Sequence, residues 1–348
     1  MTEQDGPGQR EPERAGLAQP PSGLQRFTDR AFRGLCQGLA AASALLVAYI
    51  VLEIGIKAQP AMSRFGTDFL TGTTWDSNAE TFSILPEIWG TLYSSVLALA
   101  IGGFFGLAVA IFLSEGFLAE GINAVLKKVG LANSPWWIKF PERTEQVLRN
   151  LIELLAAIPS VVYGLWGIFV VIPALRPPAA WLFEHFESWS IFSTPLSGPG
   201  MAPAVLVLSI MLLPTITALS RQALVDVPPK LRMAAYGMGA TRWETILAVN
   251  LPTAARGIFG ALVIAFGRAL GETMALAMLV GNTNRISLSL FSPANTLAAL
   301  LANNFPEAGP RDVAVLMYAA LVLLGITLLV NIAGSALLMR ASRAQEAR

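Results

Sequence analysis

Residues 88–113 read IWGTLYSSVLALAIGGFFGLAVAIFL, 26 positions without one charged side chain. At about 1.5 Å of rise per residue, a helix of this length more than crosses a hydrocarbon core about 30 Å thick. The stretch lacks the apolar–polar alternation of a membrane barrel strand, and backbone groups in lipid must be satisfied within the segment, so it is read as a transmembrane helix. Working outward, five more runs have the same character, at residues 35–56, 151–175, 201–219, 254–280 and 313–338. Six spans make the chain an all-α integral membrane protein. Pro159 is expected to kink the third span and Pro214 the fourth, because each removes a backbone donor from a helix interior.

Composition agrees. Hydrophobic residues are 54% of the chain and charged residues 14%, with a mean hydropathy of +0.57, far from the balance of a water-soluble domain. One cysteine, Cys36, rules out an internal disulfide, and one histidine, His185, leaves no His/Cys set for a metal. A net charge of +1 gives a nucleic-acid partner no electrostatic support. Residues 1–33, rich in Pro, Gly, Gln and charge, are expected as a disordered cytoplasmic tail, 34–343 as the membrane domain and 344–348 as a short C-terminal tail. The first apolar run starts too late and is too long for a cleavable signal.

Lys and Arg set the orientation. With the N-terminus inside, the inner side carries eighteen of them: Arg10, Arg14, Arg26, Arg30 and Arg33 in the tail, Lys127, Lys128, Lys139, Arg143 and Arg149 in the second loop, Arg221, Lys230, Arg232, Arg242 and Arg256 in the fourth, and Arg340, Arg343 and Arg348 at the end. The outer side carries five, namely Lys57, Arg64, Arg176, Arg285 and Arg311. This positive-inside bias places both termini in the cytoplasm. The outer aromatics Trp75, Trp181, Phe183, Phe186 and Trp189 read either as an interfacial belt or as a surface that receives a soluble partner. The inner loop 116–149, with Trp136 and Trp137 beside Lys139, is expected to lie along the membrane surface.

Between the fourth and fifth spans, residues 225–252 are too polar to cross the membrane. Lys230 to Met238 suit a short helix, Gly237 and Gly239 permit a tight turn, and Arg242 to Val249 suit a second helix ending at Leu251-Pro252. Such a hairpin is either a membrane-surface element or a device for transmitting force. In the fifth span, Arg268 and Glu272 stand at an i,i+4 spacing, with Gly267 and Gly271 beside them. Counted from the inner entry near Ala255, Arg268 is about 20 Å deep, where a lone charge costs at least roughly 2.5–3.5 kcal/mol. The pair reads as a packing device or, because intramembrane charges usually line a pathway, as part of a substrate route.

The residues themselves carry a resemblance. Met233-Ala234-Ala235-Tyr236-Gly237-Met238-Gly239-Ala240-Thr241-Arg242-Trp243-Glu244, running on to Leu251-Pro252, resembles the cytoplasmic EAA loop of ABC importer permeases, with Met233 where that family usually has glutamate. The stretch from Gly267 to Ala275 with Val280-Gly281-Asn282, and that from Glu153 to Gly167, resemble phosphate importer permeases of the PstC type. Together with Trp75 through Gly90-Thr91, the likeness covers roughly residues 70 to 340.

The resemblance implies a type I ABC importer architecture and one half of a translocation pathway for inorganic phosphate. It implies as partners a PstA-like permease, two ATPase subunits that use ATP and Mg, an extracytoplasmic phosphate-binding protein, and the lipid of a bacterial inner membrane. The coupling residues it implies are Ala234, Ala235, Gly239, Ala240, Thr241, Arg242, Trp243, Leu251 and Pro252. Arg268 is expected to contact the anion, Glu272 to hold its guanidinium, and Thr273, Ser160 and Tyr163 to line the route. The chain has no G-x-x-x-x-G-K-[ST] stretch, so it is expected to be a transport subunit that binds no cofactor, with ATP hydrolysed elsewhere. The alternatives are a permease for sulfate or molybdate, a gradient-driven anion transporter, and a signalling scaffold that conducts nothing.

Overall fold

The computed structural model describes residues 23–77, 79–117, 121–122, 128 and 140–346. Helix α1 (Gly23–Phe65) leads into the one-turn α2 (Asp68–Thr71) and a two-stranded antiparallel ribbon of β1 (Trp75–Asp76) and β2 (Thr81–Phe82). Then follow α3 (Leu85–Ser114), α4 (Phe140–Ala157), α5 (Ser160–Phe186) and α6 (Met201–Val225). The chain ends with α7 (Pro229–Gly237), α8 (Arg242–Leu270), α9 (Met274–Leu279), α10 (Leu297–Asn304) and α11 (Pro310–Glu346). Among the described residues, α1, α3, α5, α6, α8 and α11 are long and apolar enough to cross a membrane, the six spans expected.

Several boundaries differ from those expected, each for a local reason. Helix α1 starts at Gly23, inside the stretch expected as a tail. The third span is Ser160–Phe186 rather than 151–175. Pro159 does not kink it but separates it from α4: the position before a proline disfavours helix, and Pro159 itself, at φ −60° and ψ 142°, is the extended residue that precedes α5. Helix α4, which carries Arg143, Glu145, Arg149 and Glu153, is amphipathic and is not a span. Trp136 and Trp137 lie outside the described residues. Pro214 is buried inside α6, which runs on to Val225.

Pro252 does not end the hairpin's second helix, because the helix continues through it to Leu270. A proline lacks the N–H that would bond four residues back, and its ring presses on that carbonyl. Here the carbonyl belongs to Ala248, within a wide π turn over Ile246–Asn250. Pro173 in α5 follows the π turn Gly167–Val171 in the same way, with Phe169 four residues back. Both spans absorb a proline by widening the preceding turn.

The centre is the α3–α6 pair. A Cβ on Gly106 would meet the Ile216 side chain at 2.8 Å, so only glycine allows this approach, and Thr217 Oγ1 donates across it to the Gly106 carbonyl at 3.2 Å. Buried Ala98, Val205, Leu208, Leu212 and Ile216 fill the contact, and Ala265, Ala269, Leu276 and Leu279 join the same cluster. Between α9 and α10 the chain loses regular structure but not its hydrogen bonds. Gly200 N donates to Leu279 O, Met201 N to Ser292 O, Ala294 N to Val280 O and Leu297 N to Thr91 Oγ1, while Trp89 Nε1 and Tyr93 OH donate to Ser287 O and Leu288 O. Irregular backbone can sit among spans only when the protein satisfies it in this way.

Candidate functional site

Arg268 lies in the last turn of α8, and its side chain is exposed on the surface of this chain. Its Nη1 donates to Thr215 Oγ1 of α6 at 3.3 Å. A guanidinium has five N–H donors in a fixed fork, so this bond leaves others for an anion. Gly267, one position before, faces α11: a Cβ there would stand 3.1 Å from Asn331 Oδ1. The small residue thus lets a neighbouring helix approach beneath the arginine, as its type suggested.

Glu272 does not hold the guanidinium. The i,i+4 argument needs an unbroken helix, and α8 ends at Leu270. Gly271 N bonds back to Arg268 O and Glu272 N to Ala269 O, which tightens the last turn, and Thr273 Oγ1 donates to the Gly271 carbonyl at 3.0 Å. A threonine bonding its own backbone competes with helix continuation. Glu272 instead accepts from Ala275 N at 3.4 Å and caps the turn that starts α9. Among the described residues no ion pair joins Arg268 to Glu272.

Of the other expected pathway residues, Tyr163 is buried in α5. Its hydroxyl is already engaged, donating to the Leu155 carbonyl at 2.9 Å and so bridging the break between α4 and α5. Ser160 sits in the first turn of α5, partly exposed, and Thr273 spends its hydroxyl on the break. Helix α9 packs on this part of α5, with Met278 and Ala275 against Gly164.

The hairpin has the two helices and the glycine turn expected from its sequence, although its second helix runs on past Pro252. Helix α7 covers Pro229–Gly237, and Gly239, at φ +87°, makes a turn that a side chain would strain. Thr241 then caps α8 reciprocally: its side chain accepts from Glu244 N, while Glu244 Oε2 accepts from Thr241 N at 2.7 Å. The T-x-x-E spelling at 241–244 is a legible signal for this cap, beyond the helical spacing alone. Ala235 is buried, whereas Ala234, Met233, Tyr236 and Met238 are exposed, Met238 at 84%. Trp243 is exposed and stacks on Phe117.

Arg242, expected among the outward coupling residues, turns inward. It lies 4.1 Å over the Phe117 ring, donates to the Glu115 carbonyl and pairs with the Glu115 carboxylate. Two acidic residues at the ends of α3 fell outside the apolar reading. Glu115 follows its last turn, and Glu87 lies in its first turn, fully buried.

The family described as "Binding-protein-dependent transport system inner membrane component" matches residues 130–340. The chain is 34% identical to the phosphate transport system permease protein PstC of Mesorhizobium japonicum, over 91% of this chain and 92% of that one. It is 36% identical to PstC of Haemophilus influenzae, over 83% and 86%. A probable PstC from Methanocaldococcus jannaschii is 32% identical over 84% and 89%. Among solved structures, a bacterial ABC transporter involved in the import of the acidic polysaccharide alginate aligns with a TM-score of 0.56 at 14% identity, covering 92% of this chain and 99% of that one. At such identity the structural likeness speaks to the fold alone.

Proposed function

We propose, from the premise that this chain belongs to the binding-protein-dependent transport system inner membrane component family, that it is the membrane permease subunit of an ATP-driven inorganic phosphate importer. Relatives named as phosphate permeases match it over most of their length. The observation that carries the mechanism is Arg268: a guanidinium at the end of a broken membrane helix, held by one hydroxyl and exposed on the face of this chain.

Phosphate is a hydrated anion with several acceptor oxygens, so a route through lipid needs fixed donors that replace water without trapping the ion. A planar guanidinium meets two oxygens at once and stays charged at any relevant pH. Thr215 orients it, and the break at Gly271 interrupts the span beside it. The exposed face of Arg268 is completed by a second, PstA-like permease, so that each chain supplies half of the route. Thr273 and Ser160 stand beside that route. Glu272 shapes its wall through the α9 cap rather than by neutralising the arginine.

The motor is separate. Two ATPase subunits, using ATP and Mg, take the exposed apolar face of α7 and the first turn of α8, where Met233 offers a thioether in place of a carboxylate. An extracytoplasmic phosphate-binding protein delivers the ion from the opposite side. The excess of Lys and Arg supports an inner-membrane orientation with both termini in the cytoplasm.

Uptake into vesicles containing the reconstituted complex tests this reading. Phosphate accumulation should require ATP and the binding protein, and tenfold excess sulfate or molybdate should leave it unchanged. Competition by either oxyanion would move the assignment to that ion, and uptake without ATP would favour a gradient-driven carrier.

A further inference from the structure

The inner end of α3 is tied to the hairpin through a single carboxylate. Glu115 follows the last turn of α3, and its side chain is 6% exposed. Arg242, in the first turn of α8, lies with Nε 3.8 Å from Glu115 Oε2 and also donates to the Glu115 carbonyl. Arg232, on α7, lies with Nη1 3.8 Å from Oε1, and its Nη2 donates to the Leu224 carbonyl in the last turn of α6 at 2.6 Å. Asn250, fully buried in the π turn, donates Nδ2 to Oε1 at 2.7 Å.

A carboxylate at a helix C-terminus opposes the helix dipole. Two arginines offset that, and both also donate to carbonyls at the ends of α3 and α6. Desolvation offsets much of what such ion pairs contribute to stability. What the arrangement does is join four places: α7, the start of α8, the π turn, and the α3–α6 pair that carries Thr215. Glu115 is therefore where a displacement of the hairpin meets the element that positions Arg268.

We propose that Glu115 is a positioning residue for coupling, the key through which movement of the cytoplasmic hairpin is passed to the α3–α6 pair and from there to the anion site. This rests on the reading of α7 and the first turn of α8 as the surface an ATPase moves. Among the described residues, two buried atoms of the network, Asn250 Oδ1 and Arg232 Nε, have no hydrogen-bond partner.

The test is the number of phosphate ions moved per ATP hydrolysed by the complete reconstituted complex, with co-purification of the ATPase measured alongside. Glu115→Ala should leave co-purification and ATP hydrolysis in place and lower the ratio at least tenfold. Glu115→Gln, which keeps an acceptor for Asn250 but loses both ion pairs, should fall between. Glu115→Asp should recover part of the loss, a readout that a merely structural role would not move. A ratio within twofold of the parent in Glu115→Ala overturns the proposal, as does Glu115→Asp no better than Ala. Should the Ala variant not assemble, an unchanged ratio in Glu115→Gln overturns it equally, and a lowered one supports it. A parent complex without ATP-dependent uptake would contradict the importer reading instead.

Discussion

Glu272 accepts a hydrogen bond from the Ala275 amide, and among the described residues no ion pair engages its carboxylate. Glu272→Gln keeps an acceptor there and should retain most phosphate uptake, whereas Glu272→Ala should lose a larger part of it. If Gln proved as damaging as Ala, the negative charge itself would be required and the capping role insufficient. Thr241 makes a second case. Thr241→Ala removes the side-chain half of the capping box and should cost about 1 kcal/mol of stability, read as a lower unfolding midpoint in detergent. Arg268 was legible from sequence because a charge within a long apolar run stands out. The separation of Glu272 from it was not, because three local bonds around Gly271 decide it and none has a spacing signature.

Spans are the most legible elements, since lipid demands both length and apolarity, and all six fall where apolar runs stand. Their ends are another matter. The run at 151–175 joins the end of an amphipathic helix to the first half of a span, and only the extended backbone at Pro159 separates the two. Likewise Leu251-Pro252 reads as a stop, yet a π turn carries the helix past it. The irregular segment between α9 and α10 has no periodicity to read, and it is fixed by tertiary hydrogen bonds. Its tightest approach is at Gly90, where a Cβ would stand 1.9 Å from the Asn295 carbonyl oxygen. Gly90→Ala must therefore push α3 away from that segment, at a cost of about 1–3 kcal/mol. Thermal unfolding in detergent should show the loss, and a variant as stable as the parent would mean the segment moves away freely.

Across the whole molecule, the two ends carry different electrostatics. At one end Glu80 bridges Arg64 at 2.7 Å and Arg311 at 2.9 Å, joining the end of α1 to the start of α11. The hydrogen bond and charge of Arg64, then the charge of Arg311, hold the Glu80 carboxyl below its ordinary value of 4.5. A depressed carboxylate contributes its stabilisation above the unfolded value and loses it as pH falls through the folded one. The bridge should therefore persist at neutral pH and open only below about pH 4.5, seen as faster amide exchange around Glu80. Glu80→Gln should show the faster exchange at every pH, and a parent protein equally fast at pH 7 would contradict the bridge.

In the proposed importer the hairpin and Glu115 form the mechanical end, and the exposed Arg268 guanidinium meets the anion. ATP-dependent phosphate uptake by the reconstituted complex, compared for the parent chain and Arg268→Gln, tests that arrangement most directly. The account predicts a loss of at least tenfold in uptake, with the complex assembled and ATP still hydrolysed. Equal uptake by the two proteins would contradict it.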